Sequence, residues 1–163
     1  MRIHKSPIRT CRVLLSIAFV MVLAGCAGYV PGRQAYWDEQ VDRMCEADGG
    51  TRIFEVMELP PHQYRLLLNR YGKLDVPGDD DDSRDVPVTR TEQTAIIHDA
   101  NPRVWKYTLN VVRKSDRRIL GTQVIYARVG GDFHSPAHES SYSCPKQSPN
   151  LFAATVKQRR EAK

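Results

Sequence analysis

The chain has no apolar run long enough to span a bilayer. Its longest, Val13 to Leu23, is broken only by Ser16 and falls well short of the roughly 20 residues that a crossing helix needs. There is no Gly-x-Ser-x-Gly elbow to present a nucleophilic serine and no glycine loop of the kind that cradles phosphates, so nothing nominates a hydrolytic or nucleotide-binding centre. Cysteine is scarce, with four in 163 residues, and no two stand at the Cys-x-x-Cys spacing that depresses a thiol pKa. A concentrated basic patch is missing too. Only Lys157, Arg159, Arg160 and Lys163 enrich the tail, which is too thin a footprint for a nucleic-acid partner. No internal repeat is present.

What the chain does have is a patterned N-terminus. Arg2, Lys5, Arg9 and Arg12 form a positive leader without an acidic residue, and the apolar run follows, which is the order of a secretory signal. The run closes on Leu23-Ala24-Gly25-Cys26, which resembles the signals of bacterial lipoproteins. The resemblance implies that Cys26 becomes the first mature residue, carrying a thioether-linked diacylglycerol and usually an N-acyl chain. Each buried methylene contributes about 0.8 kcal/mol, so one chain binds a membrane reversibly and two or more anchor stably. In the lipoproteins it resembles, aspartate after the cysteine favours inner-membrane retention. Ala27 therefore implies an outer-membrane anchor facing the periplasm. The expected organisation is a signal peptide over 1–25, a lipidated tether over 26–34 containing Gly28, Pro31 and Gly32, and a single periplasmic domain over 35–163.

Processing changes the charge and the cysteine count. Four of the 24 basic residues lie in the leader and all 19 acidic residues lie beyond it, so the mature chain carries +1 and the basic pI belongs to the precursor. Cys11 leaves with the signal and Cys26 is taken by lipid. Cys45 and Cys144 remain, and in an oxidising compartment they are expected to pair as a structural disulfide. A redox-active pair is the alternative use of two thiols, but it lacks the close spacing that such chemistry requires.

Along the mature chain, Trp37, Val41, Met44 and Cys45 recur at helical intervals, and Asp48-Gly49-Gly50 stops that helix. Arg52 to Leu59 reads as a strand buried on both sides. Tyr64, Leu67, Leu68 and Tyr71 give a second helical stripe before Gly72, and the stretch from Leu74 to Val88 reads as a solvated loop. Thr89 to Val129 holds three strands in succession, turning at Asn101-Pro102 and at Ser115 to Arg118. Trp105, Tyr107, Leu109 and Val111 alternate against Lys106, Thr108 and Asn110. Ser148-Pro149 suits the start of a short last helix carrying Leu151, Phe152 and Val156. The expected fold is α+β: an antiparallel sheet of about four strands, two or three helices packed on its apolar face, and one disulfide.

Asp132, His134, His138 and Glu139 are the one cluster of ligand-type side chains, and two imidazoles with a carboxylate suit zinc. Pro136 breaks the helix that would bring His134 and His138 to one face, so a polar loop is the plainer reading. Asp79 to Asp82 are consecutive, whereas calcium loops space their carboxylates at alternate positions. His98-Asp99 has no nucleophile placed by any motif. Trp37 and Trp105 could form a ligand shelf, although aromatics at such periodic positions usually belong to a core.

Tyr36-Trp37-Asp38, Val41, Cys45, Asp48-Gly49-Gly50 and Ile53-Phe54-Glu55 together resemble a segment of small uncharacterised proteobacterial lipoproteins, over about a quarter of the mature chain. That resemblance implies a bridge at Cys45, a helix stop at Gly49 and Gly50, and no activity or cofactor. The expected role is non-enzymatic: an envelope protein tethered by lipid that binds another envelope protein or a cell-wall component. The alternatives are a periplasmic metal-binding protein or hydrolase using the Asp132–Glu139 loop, and a lipoprotein exposed on the cell surface.

Overall fold

The computed structural model describes residues 32–81, 84–131 and 139–160. Helix α1 (Arg33–Asp48) leads directly into β1 (Gly50–Ile53), and two glycines make the junction for different reasons. Gly50 adopts φ 98°, which a side chain would resist. Gly49 is extended, but a Cβ there would lie 2.6 Å from the Cys45 sulfur, so contact rather than conformation excludes a side chain. α1 begins at Arg33, two residues before the tether boundary read from the sequence.

β3 (Val88–Asp99), β4 (Arg103–Arg113) and β5 (Ile119–Val129) form an antiparallel meander, and they occupy the three segments whose alternation marks strands. The free side of β5 is shared. β1 pairs with its first half (Gly50 opposite Val124, Ile53 opposite Gly121), and β6 (Ser141–Cys144) pairs with its second half. The sheet therefore has five strands. β6 comes from a stretch that reads as polar loop, because only two of its four residues face inward and both are Tyr or Cys.

The single strand expected over Arg52 to Leu59 is two. β2 (Met57–Leu59) leaves the main sheet and pairs in parallel with β7 (Val156–Gln158), while Ile53, Phe54 and Val56 are exposed. The expectation of burial on both sides fails at these three residues. Its physical reason is a sharp departure after Ile53, where the amides of Phe54 and Glu55 both donate to the Leu120 carbonyl and end the ladder. Helix α2 (Pro61–Leu66) is shorter than its stripe: Leu67 is buried beyond its end, and Tyr71 is exposed. α3 (Leu151–Thr155) is capped by Asn150, whose side chain accepts from the amides of Phe152 and Ala153, rather than by Ser148. Val156 belongs to β7 and not to that helix.

Helices do not share one apolar face of the sheet. Successive residues of a strand point to opposite sides. Val104 on β4, with Val124 and Tyr126 on β5, packs against Val41 and Cys45 of α1. Val111, seven residues further along β4, faces the other way and joins Val88, Leu67, Leu151 and Val156 in a second cluster. α3 comes so close there that a Cβ on Gly121 would be 2.6 Å from Thr155 Cγ2.

Candidate functional site

Cys45 and Cys144 are joined, with Cα atoms 6.0 Å apart and 99 residues of sequence between them. The bridge ties α1 to β6, and acidic residues of the same helix continue the attachment. Arg128 on β5, only 1% exposed, donates through Nε to Asp38 at 2.6 Å; its Nη1 donates to the Gly130 carbonyl and, at 2.9 Å, to Ser140 Oγ. One turn on, the Tyr142 hydroxyl donates to Asp42 at 2.8 Å. At the helix end Asp48 accepts from the Tyr126 hydroxyl at 2.6 Å and from Lys106. A buried guanidinium must be paired to be tolerated, and this one has carboxylate, carbonyl and hydroxyl partners.

The electrostatics follow the bonds. The ammonium of Lys106 and the hydroxyl of Tyr126 hold the Asp48 carboxyl below its ordinary range, while the same carboxylate raises Lys106. Burial, with Asp48 as neighbour, raises Tyr126; the bond to Asp42, with burial second, raises Tyr142. These shifts lock each group in the charge state it holds at neutral pH. Together these bonds fasten α1 to the sheet.

The other residues singled out by sequence are dispersed. Cys26, Asp132, His134, His138 and Asp82 lie outside the described residues. Glu139 is exposed and lines an open hollow of about 440 Å³ together with Ala100, Asn101, Arg103, Trp105 and Val129. Among the described residues no group of three or more His, Cys, Asp or Glu is placed to hold a metal ion. His98 donates from Nδ1 to the Pro102 carbonyl at 2.6 Å and lies against the Trp37 ring, and Asp99 pairs with Arg103. Asp79 is gripped by both terminal nitrogens of Arg117, at 2.6 and 2.8 Å, and Asp81 faces Arg84. Part of the aspartate run therefore serves to fix its loop. Trp37 joins the α1 cluster, whereas Trp105 borders the hollow, so the two rings make no common shelf.

Sequence reasoning missed two features of the surface. At the β1–β2 break, Ile53, Phe54 and Val56 gather beside Ile119 at the start of β5, with Phe54 62% exposed. At the opposite end of the sheet, Tyr36, Ile96 and Ile97 are exposed near the β3–β4 turn. No periodicity announces either patch, because both sit where a regular element stops or shifts register. Among the described residues no helix is long and apolar enough to cross a membrane. No family model, no curated protein and no solved structure matches the chain.

Proposed function

We propose that the chain is a lipoprotein anchored through Cys26 in the outer membrane, facing the periplasm, whose disulfide-stapled α+β domain binds an envelope protein or cell-wall component without catalysis. The observation that carries the reading is Leu23-Ala24-Gly25-Cys26 at the end of a basic and then apolar leader. The Cys45–Cys144 bridge is consistent with it, since structural disulfides belong to oxidising compartments. So are the bonds of Asp38, Asp42, Asp48, Arg128 and Lys106, which hold α1 to the sheet and so give these charged groups a structural role. Anchoring by lipid makes weak contacts effective, because a tethered domain meets its partner at high local concentration.

Mass spectrometry of the protein isolated from cells tests this. The expected product starts at an acylated Cys26, and Cys26→Ser leaves the leader uncleaved or the chain free of lipid. An intact leader in the wild type, or a bare thiol at a new N-terminus, would overturn the reading. Crosslinking in intact envelopes then identifies what the domain touches.

A further inference from the structure

We infer that the end of the domain from which the tether emerges rests on the phospholipid surface, with Tyr36, Ile96 and Ile97 seated in the headgroup layer. The inference rests on the lipoprotein reading above. Six residue steps separate Cys26 from Gly32, and at 3.3–3.6 Å each they reach at most about 22 Å. The eleven residues of β4 alone extend about 36 Å. A tether shorter than the sheet keeps the end nearest its exit closer to the bilayer than the length of the sheet, which makes that end the first to meet lipid.

Two contacts identify that end. A Cβ on Gly131, just past β5, would lie 3.5 Å from Gln34 Cα in the first turn of α1 and 3.3 Å from Pro102 Cβ in the β3–β4 turn. The start of α1, the end of β5 and the β3–β4 turn therefore meet where the tether leaves. The same end carries Ile96 at 61% exposure, Tyr36 at 55% and Ile97 at 43%. The two tryptophans flank this end from opposite faces of the sheet: Trp37, on the α1 face, meets the Tyr36 ring edge-on at 5.5 Å, and Trp105, one residue on from the α1-facing Val104, pairs across the sheet with Ile96 on the other face. Aliphatic side chains bordered by Tyr and Trp suit the boundary between headgroups and acyl chains, where one end of the ring is wet and the other is not. Two carboxylates near this end are already held by guanidinium groups, Asp99 by Arg103 and Asp38 by Arg128, which reduces their repulsion of anionic headgroups. The patch of Ile53, Phe54, Val56 and Ile119 lies at the other end of the strands and faces away from the membrane.

Both tryptophans of the chain lie at the tethered end, so native emission reports on it. The acylated protein is reconstituted into vesicles of phosphatidylethanolamine and phosphatidylglycerol, with and without dibrominated phosphatidylcholine. Flotation and intact mass confirm anchoring in the same sample. An interfacial apolar surface sits about 5–10 Å into the headgroup boundary, so bromine should cause a roughly two-fold loss of emission. Ile96→Glu with Ile97→Glu, at exposed positions, should restore the emission while the protein still floats. Acylated, floating wild-type protein whose emission ignores bromine would overturn this inference and leave the lipoprotein reading standing. Absence of acyl mass on Cys26 would overturn both together.

Discussion

The two faces of the sheet are covered by opposite means. On one, α1 brings only Val41 and Cys45 into burial and is otherwise held by a disulfide and by aspartates bonded to Arg128, Tyr142, Tyr126 and Lys106. On the other, nine buried aliphatic residues, from Leu59 in β2 to Val156 in β7, make a continuous core. Apolar burial is non-directional and fixes that a segment is inside, whereas bonds between named polar atoms fix where it lies. A helix as polar as α1 has little choice but the second means. The apolar face should therefore carry the cooperativity of folding, and the bonded face should carry the position of a helix that can be released.

The largest expected effect tests that separation directly. Cys45→Ser with Cys144→Ser reopens a loop with a sequence separation of 99, and loss of a native bridge in a small domain costs about 2–5 kcal/mol. Denaturant unfolding measures the cost. Hydrogen exchange should locate it, with α1 amides exchanging faster while β4 and β5 stay protected. Equal loss across both faces would mean that they are one cooperative unit, and the comparison breaks.

The apolar face makes the complementary case. Leu67 has no exposed surface and sits among Val76, Val88 and Val111, so Leu67→Ala should cost about 3 kcal/mol through lost contacts and the cavity left behind. Here protection should fall across the whole sheet in step with global stability, α1 included. A loss confined to the neighbourhood of α2 would show that the cluster is a satellite rather than the core.

How legible these two faces are in the sequence differs for the same reason. Val104 to Val112 and Ile119 to Val129 alternate because at each level along them one side is packed more closely than the other, although the packed side changes between Val104 and Val111, and period two survives in the text. The cysteine pair is legible by elimination, since Cys11 and Cys26 have other fates in the lipoprotein reading. Arg128 is not. It reads as the polar end of an alternating strand, and only the arrival of Asp38, 90 residues away, makes burial of its charge tolerable. The break at Phe54 is hidden as well, because Ile53 to Met57 has strand composition and the departure is set by the Leu120 carbonyl. Local pattern records burial; it does not record which distant polar atom satisfies which.

Arg128 supplies the third test. Arg128→Met fills the same slot with apolar atoms but leaves Asp38 and the Gly130 carbonyl without their partner. Because Asp38 keeps some access to water, the expected cost is about 2 kcal/mol rather than the full penalty of a buried orphan charge. Adding Asp38→Leu should return most of it, since replacing both members of an ion pair by apolar groups is often neutral. If the double variant is as unstable as the single one, the pair positions α1 in a way that packing cannot replace.

The smallest effect is the most diagnostic of the bonded face, because it can be switched without changing a residue. Lys106 and Tyr126 hold Asp48 below its ordinary carboxylate range, so their stabilisation is complete above about pH 4 and is lost as pH falls through the lowered folded value. Lys106 is raised, so the basic limb is complete below the ordinary lysine range and is lost as pH rises through the folded value. Between the limbs the contribution is flat. The pair is partly exposed, which limits it to about 0.5 kcal/mol. Asp48→Asn keeps an acceptor for Tyr126 but removes the charge, so its thermal midpoint should lose the acid-side decline due to this group. Wild-type and variant midpoints that fall in parallel between neutral and acid pH would assign the acid sensitivity elsewhere, and would leave the disulfide and Arg128 as the bonds that place α1.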